Sequence, residues 1–205
     1  VMTSDRGQAG ALNSNVFNLS IDLFKNEKAA PHVIVYGRKG ARFFPHIAGI
    51  GLKGAYENIA DVPEVNVFAP VIAMVKNAVS NGEVGRVVLI YTEFVSSLSQ
   101  KASSFQLVPT NLPAEQPNAE KVYEFEPEIL DVLDQAIQLY LEAKMLQIKI
   151  ESAASEHAMR MVAMGNANRN ASELIDDLTL ELNATRQAAI TQEIAEITGG
   201  AEAMK

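Results

Sequence analysis

Short apolar runs alternate with amphipathic segments over the first half of the chain. Two runs, His32–Tyr36 and Arg86–Tyr91, are nearly continuous and rich in β-branched residues, which is typical of strands buried on both faces. Val1–Thr3, Val65–Phe68 and Phe105–Pro109 predict three weaker strands, the last at a sheet edge where proline is tolerated. Because strands alternate with helical segments, the pattern predicts a small, mostly parallel α/β sheet.

Three helical segments are predicted between these strands. The first carries apolar side chains at helical spacing from Val16 to Phe24. The second is a short turn of helix that begins at Arg38, directly after the first strong strand. The third begins at Pro70 and ends before Asn81, which is followed by glycine.

A much longer helix is predicted after this domain. Residues 128–198 contain no proline and one glycine, Gly165, and they lie between Pro127 and the pair Gly199-Gly200. Proline favours a helix start and glycine a helix end. At about 1.5 Å per residue the helix would be roughly 105 Å long, too long to be buried in its own domain. We therefore divide the chain into an α/β domain at residues 1–126 and a long helix at residues 127–205.

Three stripes of side chains follow one another along this helix. The first is apolar and is predicted to pack on the α/β domain; it consists of Leu130, Leu133, Ile137 and Tyr140. The second alternates spacings of three and four, as a coiled-coil seam does; it consists of Met161, Met164, Asn168, Ala171, Ile175, Leu178 and Leu182. The third is rotated from this seam and consists of Ile190, Ile194 and Ile197. A seam needs a second helix, so the long helix is predicted to be half of a coiled coil.

Composition excludes several classes of function. The formal net charge of -8 argues against binding to a nucleic acid backbone, which requires clustered Lys and Arg. No run approaches the roughly 18 to 20 apolar residues of a membrane span, so we predict no direct membrane insertion. The absence of cysteine excludes disulfides, thiolate metal sites and cysteine nucleophiles.

Two glycine-containing segments are candidates for binding phosphate. Gly49–Gly54 has the spelling G-x-G-x-x-G of a dinucleotide-binding loop, but no strand is predicted before it, as such a loop requires. Gly37–Gly40 follows a predicted strand and contains two cations, so it suits either an anion or a plain strand-to-helix turn. Gly49–Gly54 would bind a dinucleotide only if a strand preceded it and a helix followed it. Gly37–Gly40 lacks the residue spacing of a P-loop.

The titratable residues give no catalytic or metal site. His32, His46 and His157 are scattered and form no ligand pair at helical spacing. Asp176, Asp177 and Glu181 are close together, but on an exposed helix such a cluster is typical of a solvated face. We predict no cofactor, no metal and no catalytic residue.

The C-terminal stretch Ile190–Ala203 carries the most specific resemblance to a known family. It resembles the C-terminal signature of the gamma subunit of F-type ATP synthases, the central rotor shaft. Three further stretches resemble this family in the same order along the chain: Ser4–Gly7 with Leu12-Asn13, Ser155–Met161 and Leu174–Glu181. The resemblance covers essentially the whole chain.

The resemblance implies a Rossmann-like domain without a nucleotide site and two terminal helices wound into an antiparallel coiled coil. The first of these helices would lie before Val1. The implied function is to transmit torque between the membrane rotor ring and the catalytic ring of alpha and beta subunits during proton-coupled ATP synthesis. The chain would then be no enzyme by itself, and it would lie peripherally at the cytoplasmic face of a bacterial inner membrane.

The resemblance also implies the residues that contact partners. Contacts with the catalytic ring fall on Arg186, Gln187, Thr191, Glu193 and Glu196. Contacts with the epsilon subunit and the membrane rotor ring fall on Tyr123, Phe125 and Glu126. Without a second helix, the chain is expected either to self-associate through its seam or to have a frayed distal helix. The alternative from another class is a small α/β nucleotide-binding enzyme with a helical tail for oligomerisation.

Overall fold

The computed structural model of the chain describes residues 1–27, 29–109, 126 and 128–202. They form two compact units, of which the first is Val1–Met161 and the second begins at Val162. Predictions that concern Tyr123, Phe125 and Pro127 lie outside the described residues.

Four helices and four strands are formed by the described residues. The helices are α1 (Leu12–Asn26), α2 (Arg38–Phe43), α3 (Ala69–Ser80) and α4 (Ile129–Glu202). The strands are β1 (His32–Tyr36), β2 (Gly51–Tyr56), β3 (Val87–Phe94) and β4 (Gln100–Val108). Two short 3₁₀ helices lie at Phe44–His46 and Val65–Phe68. A small α/β domain with a parallel sheet is thus followed by a long C-terminal helix, as predicted.

The sheet has a parallel part and an antiparallel part. β1 pairs with β2 in parallel, and β3 pairs with β4 in antiparallel orientation. Met2 joins the two parts, because it pairs in parallel with Tyr36 and its backbone N–H donates to the carbonyl oxygen of Ile90 at 2.8 Å. The segment at the start of the chain therefore lies between β1 and β3, where an extended segment was predicted.

The predicted strand at Val65–Phe68 is wrong, because these residues form a 3₁₀ helix. Phe68 is fully buried in the main core, and Pro70 lies in the first turn of α3 directly afterwards. Proline presets a helical φ at the start of a helix, so the segment continues into α3 instead of pairing in the sheet.

The core of the α/β domain includes one face of α4. Leu141, Met145 and Ile148 of α4 are buried there; their neighbours include Met2, Tyr36, Phe68, Val71, Ile72, Leu89, Tyr91 and Leu107. A second cluster beside the sheet consists of Val33, Val35 and Phe44, with Phe17 and Phe43 stacked at its edge.

The predicted contact stripe of α4 is wrong in its rotation around the helix. Leu130, Leu133, Ile137 and Tyr140 are all exposed. The buried stripe instead repeats from Leu141 through Met145 and Ile148 to Ser152 and Ser155, rotated by about 60° from the predicted one. Continuing the predicted stripe would bring Gln147 and Glu151 against the sheet. Burying these polar groups would cost free energy, whereas burying the apolar face is favourable.

The predicted helix end at Gly199-Gly200 is also wrong, because α4 continues to Glu202. Thr198 Oγ1 donates to the carbonyl oxygen of Ile194 at 2.9 Å, so its side chain bonds to the preceding turn of the helix. Glycine in a helix costs only about 1 kcal/mol relative to alanine, and no proline follows to force the chain out.

Candidate partner-binding surface

The predicted coiled-coil seam lies along an exposed face of α4. Its large apolar side chains are between 41% and 66% exposed; they are Met161, Met164, Ile175, Leu178 and Leu182. Asn168 and Ala171 within the same seam are exposed as well. On a straight α-helix these positions fall within an arc of roughly 100°, which is the width of a face that packs on another element. The described residues thus include a long apolar stripe that is available to a partner.

Four of the five predicted contacts with the catalytic ring occupy two neighbouring faces farther along α4, and the fifth, Glu196, is rotated by about 80° from Arg186 in the other direction. Arg186 and Glu193 are seven residues apart and share one face with Ile190 and Ile197. Gln187 and Thr191 share the next face with Ile194, because they are spaced by four and three residues. All of these side chains are exposed, so both faces present polar groups together with apolar side chains.

Hydrogen bonds within the helix hold several of these polar groups. Arg186 Nη2 donates to Asn183 Oδ1 at 3.0 Å, and Thr191 Oγ1 donates to the carbonyl oxygen of Gln187 at 2.8 Å. Gln192 Nε2 donates to Glu196 Oε1 at 3.0 Å. These bonds leave further donor and acceptor positions on Arg186, Gln187 and Glu196 that a partner can use. Of the second predicted contact set, Glu126 is exposed, whereas Tyr123 and Phe125 lie outside the described residues.

The turn at Gly37–Gly40 is a structural turn and not an anion site. Three backbone N–H groups at the start of α2 already have acceptors: Arg38 donates to Asp5 Oδ1 at 2.9 Å, Lys39 to the Ser4 carbonyl oxygen at 3.0 Å, and Gly40 to Thr3 Oγ1 at 3.0 Å. Gly37 has φ of 104°, and a Cβ there would lie 2.1 Å from the Thr3 carbonyl oxygen. The loop Thr3–Asp5 therefore fills the space that a phosphate would need.

The second glycine candidate lies in a strand. β2 begins at Gly51 and pairs with β1, so Gly49–Gly54 leads into a strand and does not open a helix. A pyrophosphate loop needs the opposite order, because the helix N-terminus must face the phosphates. We missed β2 from the sequence because Gly51 and Gly54 lower the strand propensity of this segment.

The titratable residues in the described part of the chain are not gathered as metal sites are. Those residues contain no group of three or more His, Asp or Glu side chains that could hold a metal ion. His46 Nδ1 lies 2.8 Å from the Arg42 carbonyl oxygen, within the same short helical segment. Nor do the described helices include one long and apolar enough to span a membrane.

His157 and Asp61 form a pair that sequence inspection missed. Nε2 of His157 on α4 lies 2.8 Å from Oδ2 of Asp61, which precedes α3 in the chain. The hydrogen bond from His157 holds the pKa of Asp61 below its ordinary value of 3.8, and the positive charges of Lys149 and Arg6 act in the same direction. The pair therefore ties α4 to the α/β domain. The two residues are 96 positions apart, so only the folded chain reveals the contact.

Replacing Asp61 by asparagine is expected to reduce the acid sensitivity of the first unit. The pKa of Asp61 is lower in the folded chain than in the unfolded chain. The ionised carboxylate therefore stabilises the fold fully at a pH above the unfolded pKa, and this stabilisation is lost as the pH falls through the folded pKa. Both side chains are more than half exposed, so we expect a difference in unfolding free energy of about 0.2–1 kcal/mol at pH 5, which disappears once the pH is below the folded pKa of Asp61. Urea denaturation across this range measures it.

Asp22→Asn is the control for this prediction, because Asp22 is an exposed acid on α1 whose contact with Lys25 is long, at 4.0 Å. A pH profile of Asp61→Asn that parallels that of the unchanged chain would contradict the assigned role of the pair.

The fold and this surface together define a stalk protein, in which a long helix is attached to an α/β domain and presents exposed stripes. A family model described as ATP synthase matches residues 1–204. The ATP synthase gamma chain of Stenotrophomonas maltophilia (strain R551-3) is 40% identical over 214 residues, which covers 100% of this chain and 72% of the relative. The chain belongs to the family of ATP synthase gamma chains, the rotor subunits of these complexes.

Solved structures agree with this assignment in fold. A chain of the Euglena gracilis mitochondrial ATP synthase (OSCP, F1 and c-ring, rotational state 3) matches with a TM-score of 0.73 and 20% identity, over 99% of this chain and 71% of that chain. The rotor of the same enzyme in rotational state 1 matches with a TM-score of 0.67 and 18% identity, over 92% and 72%. Membership in this family does not favour the alternative of a small nucleotide-binding enzyme.

Proposed function

We propose that this chain transmits torque between a membrane rotor ring and a catalytic ring of alpha and beta subunits, with all catalytic sites on those other subunits. The exposed stripes of α4 are the observation that carries the proposal. A protein that acts through contacts along a helix needs exposed stripes of this kind. Within the first unit, α4 is attached to the α/β domain through its buried face. The functional division proposed is a domain at residues 1–126 and a shaft at residues 127–205.

The seam from Met161 to Leu182 would pack on a second, antiparallel helix. A paired helix resists bending better than a single one, and transmission of torque requires this stiffness. Asn168 is a polar position within the seam, and such a position favours one register of the two helices over others.

The surface from Arg186 to Glu196 would contact the catalytic ring. Arg186 can form two hydrogen bonds with a carboxylate, whereas Gln187 and Thr191 can exchange bonds with polar groups on a surface that moves past them. Tyr123, Phe125 and Glu126 would contact the epsilon subunit and the membrane ring. The relatives are bacterial, which supports a peripheral location at the cytoplasmic face of the inner membrane.

Replacing Arg186 and Gln187 together by alanine, in the subunit assembled with alpha and beta subunits, tests this contact surface. We expect ATP hydrolysis to fall by about tenfold, since losing one charge-assisted hydrogen bond weakens the contact by about 1.5 kcal/mol. Steady-state hydrolysis and single-molecule rotation measure the effect.

The control variant replaces Arg169 and Asn170 by alanine. These residues are also an exposed Arg and a neighbouring amide on α4, but they lie before the proposed contact surface. Unchanged hydrolysis and rotation in the Arg186→Ala, Gln187→Ala variant would show that the contact assignment is wrong.

A further inference from the structure

Two residues with buried hydroxyl groups line the same small cavity where α4 packs on the sheet. Thr92 lies on β3 and is 4% exposed, and Ser152 lies on the buried face of α4. Neither Thr92 Oγ1 nor Ser152 Oγ has a hydrogen-bond partner among the described residues, although both atoms are buried. A buried hydroxyl without a partner costs free energy, so native proteins nearly always supply one.

A small cavity adjoins both residues. Its volume is about 10 Å³, and its lining also includes Ser4, Lys149, Ala153 and Glu156. A buried water molecule needs roughly this volume on the same measure, together with two to four polar neighbours. The cavity is therefore large enough for one water molecule and too small for an organic ligand.

The charges around the cavity favour water over a metal cation. Lys149 belongs to the lining, and the Glu156 carboxylate is already paired with Arg160. A cation would be repelled by Lys149, and it would lack a free carboxylate as ligand. Water can both donate and accept, which suits two hydroxyl groups that can do the same.

The neighbouring hydroxyls have their own partners. Ser155 Oγ donates to the Thr92 carbonyl oxygen at 3.3 Å, and Ser4 Oγ donates to the Arg6 carbonyl oxygen at 2.7 Å. Thr92 Oγ1 and Ser152 Oγ are thus the two groups in this lining that still require a partner.

We propose that one structural water molecule binds in this cavity and bridges Thr92 Oγ1 of β3 to Ser152 Oγ of α4. The bridge would act beside the direct Ser155 bond and would fix the rotation of α4 against the sheet. Apolar packing is not directional and permits small rotations of a helix. Hydrogen bonds from the water molecule to both hydroxyl groups are directional and would restrict such rotations.

The proposal is tested by whether substitutions of these two hydroxyl groups raise or lower the Tm of the 205-residue chain. With water bound, Thr92→Val and Ser152→Ala should each lower Tm by about 2–4 °C, because each leaves the water short of a partner. The double variant should lose less than the sum, since both hydroxyls hold the same water. Ser172→Ala, an exposed serine on α4, corrects for the higher helix propensity of alanine.

Two results would overturn the proposal. If the cavity is dry, removing an unpaired hydroxyl leaves Tm unchanged or raises it. In a high-resolution crystal structure we expect a density peak about 2.5–3.0 Å from both hydroxyl oxygens, the range of O–H···O hydrogen bonds. No peak there, or a peak with several oxygen ligands at about 2.3–2.6 Å, as a cation would have, would also contradict it.

Discussion

Replacing Ile148 by alanine is expected to lower the free energy of unfolding of the first unit by about 2–5 kcal/mol. Ile148 is fully buried, and it lies on the face of α4 that completes the main core. The loss comes from the buried methyl and methylene groups and from the cavity that remains. Small domains have a total stability of about 5–15 kcal/mol, so this single change would remove a large part of it. Urea denaturation followed by circular dichroism measures the loss.

Ile137→Ala is the matched control for this prediction. It makes the same substitution on the same helix, but Ile137 is 45% exposed. We expect a loss below about 1 kcal/mol, since surface substitutions away from special features have small effects. A larger loss for Ile137→Ala than for Ile148→Ala would mean that α4 packs with the face from Leu130 to Tyr140, as the sequence pattern alone predicted.

The error in that stripe shows what hydrophobic spacing can decide. Both faces of α4 have apolar residues at helical spacing in this region, so the period identifies a helix without selecting its buried side. Gln147 and Glu151, which continue the predicted stripe, argue against that face within the sequence of α4 itself. The surface on which α4 packs is formed by residues far away in the chain, such as Tyr36, Phe68 and Leu89, and is not visible in the local sequence of α4.

Some strands can be predicted from their local sequence, whereas another forms because of its tertiary contacts. β1 and β3 are rich in Val and Ile, and their local pattern is sufficient to predict them. β2 contains two glycines, and its pairing with β1 is what makes it a strand. Conversely, Val65–Phe68 has the alternation of a strand, but the proline of α3 and the burial of Phe68 decide its conformation.

The helix faces on which the candidate surface lies are easier to derive from the sequence than the contacts inside the domain. The seam and the polar stretch after it lie on one helix, so their spacing alone defines the faces on which they lie. The bonds of Asp5 and Asp61 connect residues far apart in the chain, and their partners emerge only with the fold. Asp5 did lie in a stretch with a recognisable family pattern, Ser4–Gly7, which is the signal that could have drawn attention to it.

Replacing Leu178 by aspartate is expected to weaken self-association of the chain by at least about 100-fold. We predict that the unchanged chain self-associates, because contiguous exposed apolar side chains of this extent bind one another or a partner. In a symmetric dimer two copies of Leu178 would be buried, and each is worth about 1.5–3 kcal/mol, so losing both exceeds the roughly 2.7 kcal/mol of a 100-fold change. Sedimentation velocity over a concentration series measures the association.

Leu180→Asp is the control that distinguishes self-association through the seam from self-association through exposed apolar surface in general. Leu180 is 70% exposed, more than Leu178 at 54%, yet two residues along a helix correspond to a rotation of about 200°, so it points away from the seam. If association follows the seam, only Leu178→Asp abolishes it. If it follows the amount of exposed apolar surface, Leu180→Asp acts at least as strongly, and the seam assignment fails. A chain that stays monomeric at every concentration would refute the predicted self-association itself.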